Sequence, residues 1–172
     1  DGVSDGALID SGTASADTFT GAITLGSDAI IASTGTVLMT LSGGVTGAFS
    51  LTTSTNSTGG ITISGSVNNG GTVTNSGSGS GVVTISSVIG TNVTGVYQNS
   101  SSSQLTLSGT SNTFTSGVTI NAGIVSAKAT ASLGAATSPL VFNANNAELL
   151  CAGTVTMTSS RSVTFNGSAT ID

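Results

Sequence analysis

A 22-residue repeat is the feature of this sequence that most constrains its fold. Four segments with an apolar residue on either side of a threonine, followed by a serine, begin at Met39, Ile61, Val83 and Leu105. The spacing from each start to the next is constant. The same interval separates two further apolar series, Val45, Val67 and Ile89, and Leu51 and Val73. Short strands joined by Gly, Asn and Ser turns at this period predict the coils of a parallel β-solenoid.

The phase of the repeat changes in the second half of the chain. The segments VTIN from Val118 and LVFN from Leu140 are again separated by the repeat interval, but Val118 follows Leu105 by a shorter, 13-residue step. Either a second strand of each coil has become the recognisable one, or a loop has been inserted. The residues alone leave both explanations open.

Side-chain alternation within each segment predicts which residues fill the interior. Ile61 and Ile63 are expected to point inward, while Thr62 and Ser64 point outward, because successive side chains of a strand face opposite sides. Coils stacked about 4.8 Å apart predict roughly eight coils in a rod of about 40 Å. An antiparallel β-sandwich completed by the segment DGVSDGALID as a donated strand is the alternative fold. The even period disfavours that sandwich.

Three asparagines share the repeat interval. Asn99, Asn121 and Asn143 follow one another at this same spacing. In a stacked register their amides would form a ladder of side-chain hydrogen bonds along the axis. The alternative is a set of unrelated turn asparagines.

Composition supports a solenoid without α-helices. Only 5% of residues are charged, against about 25% in ordinary globular domains. The hydrophobic residues make up 37% of the chain and include many β-branched residues, which favour strands. No apolar run approaches the roughly 18 residues of a membrane-spanning helix. We therefore expect an all-β fold and no transmembrane helix.

The charged residues restrict the partners of this chain. The net charge is −5, and Lys128 and Arg161 are the only basic residues, so no basic surface is available for nucleic acid. Most of the acids lie towards the amino terminus: Asp1, Asp5, Asp10, Asp17 and Asp28. Asp1, Asp5 and Asp10 are weak candidates for Ca²⁺ ligands, because their spacing matches neither an EF-hand nor a glycine-rich nonapeptide repeat. A solvated acidic end is the simpler interpretation, and a functional variant is that these acids cap the first coil and discourage strand addition to an open edge.

The sequence contains no recognisable catalytic group. There is no histidine to activate a serine or cysteine nucleophile. The single cysteine, Cys151, has apolar neighbours and is interpreted as a small buried hydrophobic residue. We expect no enzymatic activity, no catalytic residue and no cofactor apart from the weak calcium candidates.

The segment from Leu105 to Leu150 resembles a known surface-protein repeat. Its sequence is LTLSGTSNTFTSGVTINAGIVSAKATASLGAATSPLVFNANNAELL. It is similar to the autotransporter-associated β-strand repeat, also called the passenger-associated transport repeat. The matching residues are Leu105, Leu107, Gly109, Asn112, Phe114, Gly117, Val118, Ile120, Ala122, Gly123, Leu133 and Gly134. Ser116 departs from the pattern, since it stands where the first of two glycines is usual.

The resemblance implies a right-handed parallel β-helix that is exported and displayed on a bacterial cell surface. We expect one solenoid domain over residues 1–172. Within it we assign an acidic cap or arm to 1–17, regular coils to 18–103, the best repeat match to 104–150 and the last coil to 151–172. Such β-helices usually serve as stalks or spacers and not as enzymes.

Two functions follow as hypotheses. The first is an extracellular structural protein, a subunit or segment of a surface fibre, sheath or layer, which self-associates or continues into a longer chain. An end-to-end contact that does not close would generate a filament. The second is an adhesin passenger segment that binds glycans or other cells through a flat Thr, Ser and Asn face.

Overall fold

The computed structural model describes residues 6–172 as a parallel β-solenoid with about 22 residues per turn. The predicted all-β solenoid is therefore confirmed. It has about seven turns, slightly fewer than the roughly eight expected, because eight strands in a stack enclose seven complete turns. Within the described range there is no α-helix, and a single 3₁₀-helical turn spans Thr130–Leu133.

Two eight-stranded sheets form most of the wall. The first contains β1 (Leu8–Asp10), β4 (Ala29–Ser33), β7 (Leu51–Thr55), β9 (Val73–Ser76), β11 (Val96–Gln98), β13 (Val118–Ile120), β15 (Leu140–Phe142) and β17 (Val163–Phe165). The second contains β2 (Asp17–Phe19), β5 (Met39–Leu41), β8 (Ile61–Ile63), β10 (Val83–Ile85), β12 (Leu105–Leu107), β14 (Ile124–Ala129), β16 (Ala147–Thr154) and β18 (Ala169–Ile171). β3 (Ile23–Leu25) and β6 (Val45–Gly47) form a short third sheet.

The register explains the change of phase in the sequence. Val83 pairs with Ile61 on one side and with Leu105 on the other, so these repeat segments stack in the second sheet. Val118 instead pairs with Val96 in the first sheet. The 13-residue step is thus the distance from one sheet to the next within a coil, and no loop is inserted there.

The side chains alternate as the sequence predicts. Ile61 and Ile63 are fully buried, Thr62 is half-buried and Ser64 is exposed. Equivalent apolar residues of successive coils pack on one another and form one continuous core. This stacked core is the main source of stability, since each coil buries its apolar face only against its neighbours.

A buried polar cluster interrupts the apolar interior beside the first sheet. The Asn75 amide donates to the Gln98 side-chain carbonyl at 2.8 Å. The Gln98 amide donates to the main-chain carbonyls of Ser100 at 3.0 Å and Ser103 at 2.6 Å. Both side-chain NH2 groups donate within the cluster, which accommodates these polar side chains in the core, whereas Oδ1 of Asn75 is buried without a hydrogen-bond partner in the described residues.

The third sheet ends after β3 and β6, and only isolated bridges continue it in the following coils. Isolated bridges join Val45 to Val67 and Val67 to Ile89. In the next coil the buried Asn112 side chain accepts from the Ile89 N–H at 2.9 Å and donates to the Ser132 carbonyl at 2.8 Å. A side-chain amide therefore continues the connection between coils where regular strand pairing has ended.

The amino-terminal segment is part of the stack. Leu8, Ile9 and Asp10 pair in parallel with Ile31, Ala32 and Ser33. The alternative of a donated strand in an antiparallel sandwich is therefore wrong for this part of the chain. From residue 6 onward, no helix is long and apolar enough to span a bilayer.

Gly81 lies where adjacent coils approach closely. A Cβ at Gly81 would overlap the carbonyl oxygen of Gly59 in the preceding coil. We expect Gly81→Ala to lower the free energy of unfolding by about 1–3 kcal/mol, as overpacking usually does. Urea denaturation followed by circular dichroism measures this loss.

Gly26→Ala is the matched control, because a Cβ there meets nothing within 4 Å. Its stability should stay within about 0.5 kcal/mol of the parent. Equal stability of the two alanine variants would contradict the close approach at Gly81.

Candidate functional sites: the asparagine ladder and the open ends

The structure brings Asn99, Asn121 and Asn143 together in an exposed ladder. The Asn121 amide nitrogen donates to Oδ1 of Asn99 at 2.7 Å. The Asn143 amide nitrogen donates in the same way to Oδ1 of Asn121, also at 2.7 Å. Each asparagine follows a strand of the first sheet, so the sheet register sets their spacing.

Asn166 adds a fourth rung that the sequence did not reveal. Its amide nitrogen donates to Oδ1 of Asn143 at 2.7 Å. The step from Asn143 to Asn166 is one residue longer than the repeat, so a search at the repeat interval misses it. All donors point the same way along the axis, which leaves Oδ1 of Asn166 as the acceptor at the carboxyl-terminal end of the ladder.

Within the described residues, from residue 6 onward, the amino-terminal end of the solenoid is uncovered and partly apolar. β1 and β2 are the outermost strands of the two large sheets at this end. Beside β1 lies a cavity of about 250 Å³, whose lining includes Leu8, Ile23 and Leu25. The core is thus accessible to a further layer at this end.

The carboxyl-terminal end is open in the corresponding way. β17 and β18 are the outermost strands there. The Phe165 ring stacks on Phe142, with centroids 4.9 Å apart and planes inclined by 10°. Phe165 remains 54% exposed and Ile171 42% exposed. Phe142 and Phe165 occupy equivalent inward-facing positions of successive coils. Phe142 is buried, so this column of side chains ends on the exposed ring of Phe165.

The calcium candidates of the sequence are only partly within the described structure. Asp1 and Asp5 lie outside residues 6–172. Asp10 is buried at the end of β1, and its Oδ1 accepts from the Gly12 N–H at 2.7 Å. No group of three or more His, Cys, Asp or Glu side chains that could hold a metal ion occurs in the described range.

Arg161 has a structural environment that the sequence did not predict. It is 5% exposed, and its guanidinium donates to the main-chain carbonyls of Leu133, Gly134, Ala135 and Ser138. Burial lowers the pKa of this guanidinium. Both terminal NH2 groups donate to carbonyls, while the buried Nε–H has no partner in the described residues. Arg161 thus connects loops of the last coils and is not presented to a substrate.

Cys151 is a free, half-buried cysteine in β16. Burial, together with the negative charge of Asp172, raises the pKa of its thiol. Because the thiolate is the reactive form, this environment disfavours a nucleophilic role at neutral pH. Lys128, the other basic residue, is exposed on β14.

The outer face of the second sheet carries a column of hydroxyls. Its threonines pair in register across successive coils: Thr18, Thr40, Thr62, Thr84 and Thr106. Near this face, a cleft of about 240 Å³ is lined mainly by serines and also contains Gln104 and Ile124. This surface is uncharged and hydrogen-bonding in character.

Comparison with known proteins identifies no relative. No family model, curated protein or solved structure matches the chain.

Proposed function

We propose that this chain is a non-enzymatic structural element of the bacterial cell exterior, a β-solenoid segment of a surface fibre, sheath or layer. The observation that carries the proposal is that, within residues 6–172, the outermost strands and the core are uncovered at both ends, and the asparagine ladder reaches the carboxyl-terminal end. The resemblance of residues 105–150 to the autotransporter-associated repeat supports the surface location. The scarcity of charge suits closely stacked faces, where like charges in register would repel.

The two ends have compatible features for stacking. Phe165 and Ile171 are uncovered at one end, and the cavity beside Leu8, Ile23 and Leu25 is uncovered at the other. Outermost strands with unpaired main-chain groups are templates for further pairing. We propose that the occupant of each end is another coil of the same type, supplied by a second copy or by a longer chain.

Charge opposes this contact at low ionic strength. Asp10, Asp17 and Asp28 lie in the first coils, and Asp172 is beside the last strand. Like charges brought together across an interface are unfavourable, and salt screens those exposed to solvent. End-to-end association should therefore strengthen as salt concentration increases.

Negative-stain electron microscopy of the purified chain, at increasing protein and salt concentrations, tests this proposal. We expect filaments whose length grows with both. Phe165→Asp should abolish the filaments and leave the circular dichroism spectrum of the single rod unchanged, because a charge at an edge opposes strand addition. Thr62→Asp, on a side face far from both ends, is the control and should still assemble. Single rods under all conditions would contradict self-association.

An adhesin passenger segment is the second candidate function. The threonine column and the serine-lined cleft favour it, since hydroxyls and amides hydrogen-bond to sugars without requiring charge. A glycan array probed with the labelled chain tests this alternative. Saturable binding to a defined glycan, lost on replacing Ser102 and Gln104 by alanine, would favour adhesion over a purely structural role.

A further inference from the structure

The last corner of the solenoid carries an Asn–Gly pair at its surface. Asn166 and Gly167 lie between β17 and β18, the outermost strands at the carboxyl-terminal end. Asn166 is exposed, and Gly167 is partly exposed. Asn–Gly is the dipeptide in which the main chain most readily attacks the asparagine side chain, because glycine is flexible and has no Cβ to hinder the approach.

The main-chain nitrogen of Gly167 is not engaged. Its N–H has no hydrogen-bond partner within residues 6–172. The residues on either side are held by the preceding coil. The Asn166 N–H donates to the Phe142 carbonyl at 2.8 Å, and the Ser168 N–H donates to Oδ1 of Asn145 at 2.9 Å. Gly167 is therefore left with a free nitrogen between two anchored residues.

The side chain of Asn166 is anchored through one atom. Its Nδ2 donates to Oδ1 of Asn143 at 2.7 Å, the bond that makes it the last rung of the ladder. No coil covers its Oδ1 in the described structure, so the side-chain carbonyl is accessible to water. The other ladder asparagines differ in sequence, since Ser100, Ala122 and Ala144 follow them in place of glycine.

We propose that Asn166 is a site of spontaneous deamidation, with water as the co-reactant. The Gly167 nitrogen loses its proton and bonds to Cγ of Asn166, the Cγ–Nδ2 bond breaks, and Nδ2 takes up a proton and leaves as ammonia. Water then opens the resulting cyclic succinimide at either of its carbonyls. The products are aspartate, or isoaspartate where the main chain now runs through Cγ. No oxidant or reductant is required.

A second Asn–Gly pair in the chain lacks these features. Asn69 is 0% exposed, and its Nδ2 donates to the carbonyls of Phe49 at 2.8 Å and Thr72 at 3.1 Å. The Gly70 N–H donates to the Gly47 carbonyl of the preceding coil at 2.6 Å. Reaction at Asn69 therefore requires local opening of the stack, which is less frequent in the interior than at an end. A difference in rate between the two pairs thus reports their structural environment.

Deamidation changes the carboxyl-terminal end in two ways. A carboxylate at position 166 cannot donate to Oδ1 of Asn143, so the last rung of the ladder is lost. It also adds a negative charge beside the exposed ring of Phe165. The consequence for assembly rests on the proposed end-to-end stacking, since a charge at that edge opposes strand addition. A coil stacked on this end would in turn protect Asn166 by covering it.

Timed incubation of the purified full chain in mildly alkaline buffer, followed by peptide mass spectrometry, tests the proposal. After denaturation, trypsin releases residues 162–172, in which Asn166 is the only asparagine, and elastase peptides report on Asn69. Exchange of NH2 for OH raises the mass of the peptide, and electron-based fragmentation identifies isoaspartate. We expect Asn166 to convert at least about tenfold faster than Asn69 in the folded chain. In urea the two should convert within about twofold of each other, because neither environment persists there.

Asn166→Gln is the matched control, because its longer side chain keeps the amide but would have to close a larger ring. It should show no conversion at this position, with the circular dichroism spectrum of the parent. Equal rates at Asn166 and Asn69 in the folded chain would overturn the proposal, as would an unchanged Asn166 under conditions in which the unfolded chain converts.

Asn166→Asp mimics the product and tests the consequence for assembly. It should shorten the filaments at a given salt concentration, because it places the same charge at the same edge. An Asn166→Asp chain that assembles like the parent would contradict this effect. The mass measurement requires no filament, so failure of the modification site and failure of the structural role are distinguishable.

Discussion

Replacing Ile63 by alanine is expected to lower the free energy of unfolding by about 2–5 kcal/mol, the range for removing a large aliphatic side chain from a close-packed core. Ile63 is fully buried in β8, an interior strand and the third from the amino-terminal end of the second sheet. It packs between Leu41 and Ile85 of the adjacent coils. Loss of its side chain therefore leaves a cavity that touches three coils. Chemical denaturation followed by circular dichroism measures the change.

Thr62→Ala provides the control from the same strand. Thr62 is half-buried on the outer face, and a change there should stay within about 0.5 kcal/mol of the parent. Because stability in a solenoid is nearly a sum over neighbouring coils, Ile63→Ala should also broaden the unfolding transition by weakening the coupling between the coils on either side of β8. If the two variants were equally stable, the assigned facing of this strand would be wrong.

Replacing Arg161 by methionine should have the second large effect, a loss of about 3 kcal/mol, because buried carbonyls left without donors each cost about 1–3 kcal/mol. Methionine keeps much of the length and apolar volume of the side chain but has no donor. The carbonyls of Leu133, Ala135 and Ser138 would lose their buried partner. Denaturation in urea measures the loss.

Two further variants separate charge from hydrogen-bond geometry at this position. Arg161→Lys keeps the charge but replaces the planar fork of donors with one ammonium group, so it should recover only part of the stability. Lys128→Met removes the other basic residue, which is exposed, and should leave stability nearly unchanged. An Arg161→Met variant as stable as the parent would show that these carbonyls do not depend on the guanidinium.

The structural roles of Ile63 and Arg161 differ in how far the sequence predicts them. Ile63 belongs to a segment that recurs at a constant interval, so its burial follows from alternation within a repeated strand. Arg161 belongs to no repeat. Its role depends on carbonyls of residues 133–138, which approach it only because the solenoid places successive turns side by side. Sequence reasoning identifies Arg161 as an isolated base and nothing more.

The asparagine ladder likewise contains rungs that the sequence predicts and one rung that it does not. Asn99, Asn121 and Asn143 were predicted from their equal spacing, and hydrogen bonds join them in the structure. Asn166 lies one residue off the period and is the next rung. A sequence interval detects stacked residues only while every coil has the same length, whereas strand register tolerates an extra residue in a turn.

The sequence by itself determined the solenoid, its period and the inward face of each repeated strand, because regular alternation and equal spacing are local properties. The tertiary structure alone decided the contacts between residues of different phase. In the structure, the 13-residue step leads from one sheet to the other. The side-chain amides of Asn75 and Gln98 are buried together, and the guanidinium of Arg161 donates to main-chain carbonyls. The fold also brings the side chains of Asp10, Asp17 and Val37 close to Gly12. These contacts depend on the path of the chain at its corners. Single glycines and loop lengths determine that path, and neither follows the repeat period, so the sequence pattern does not predict it.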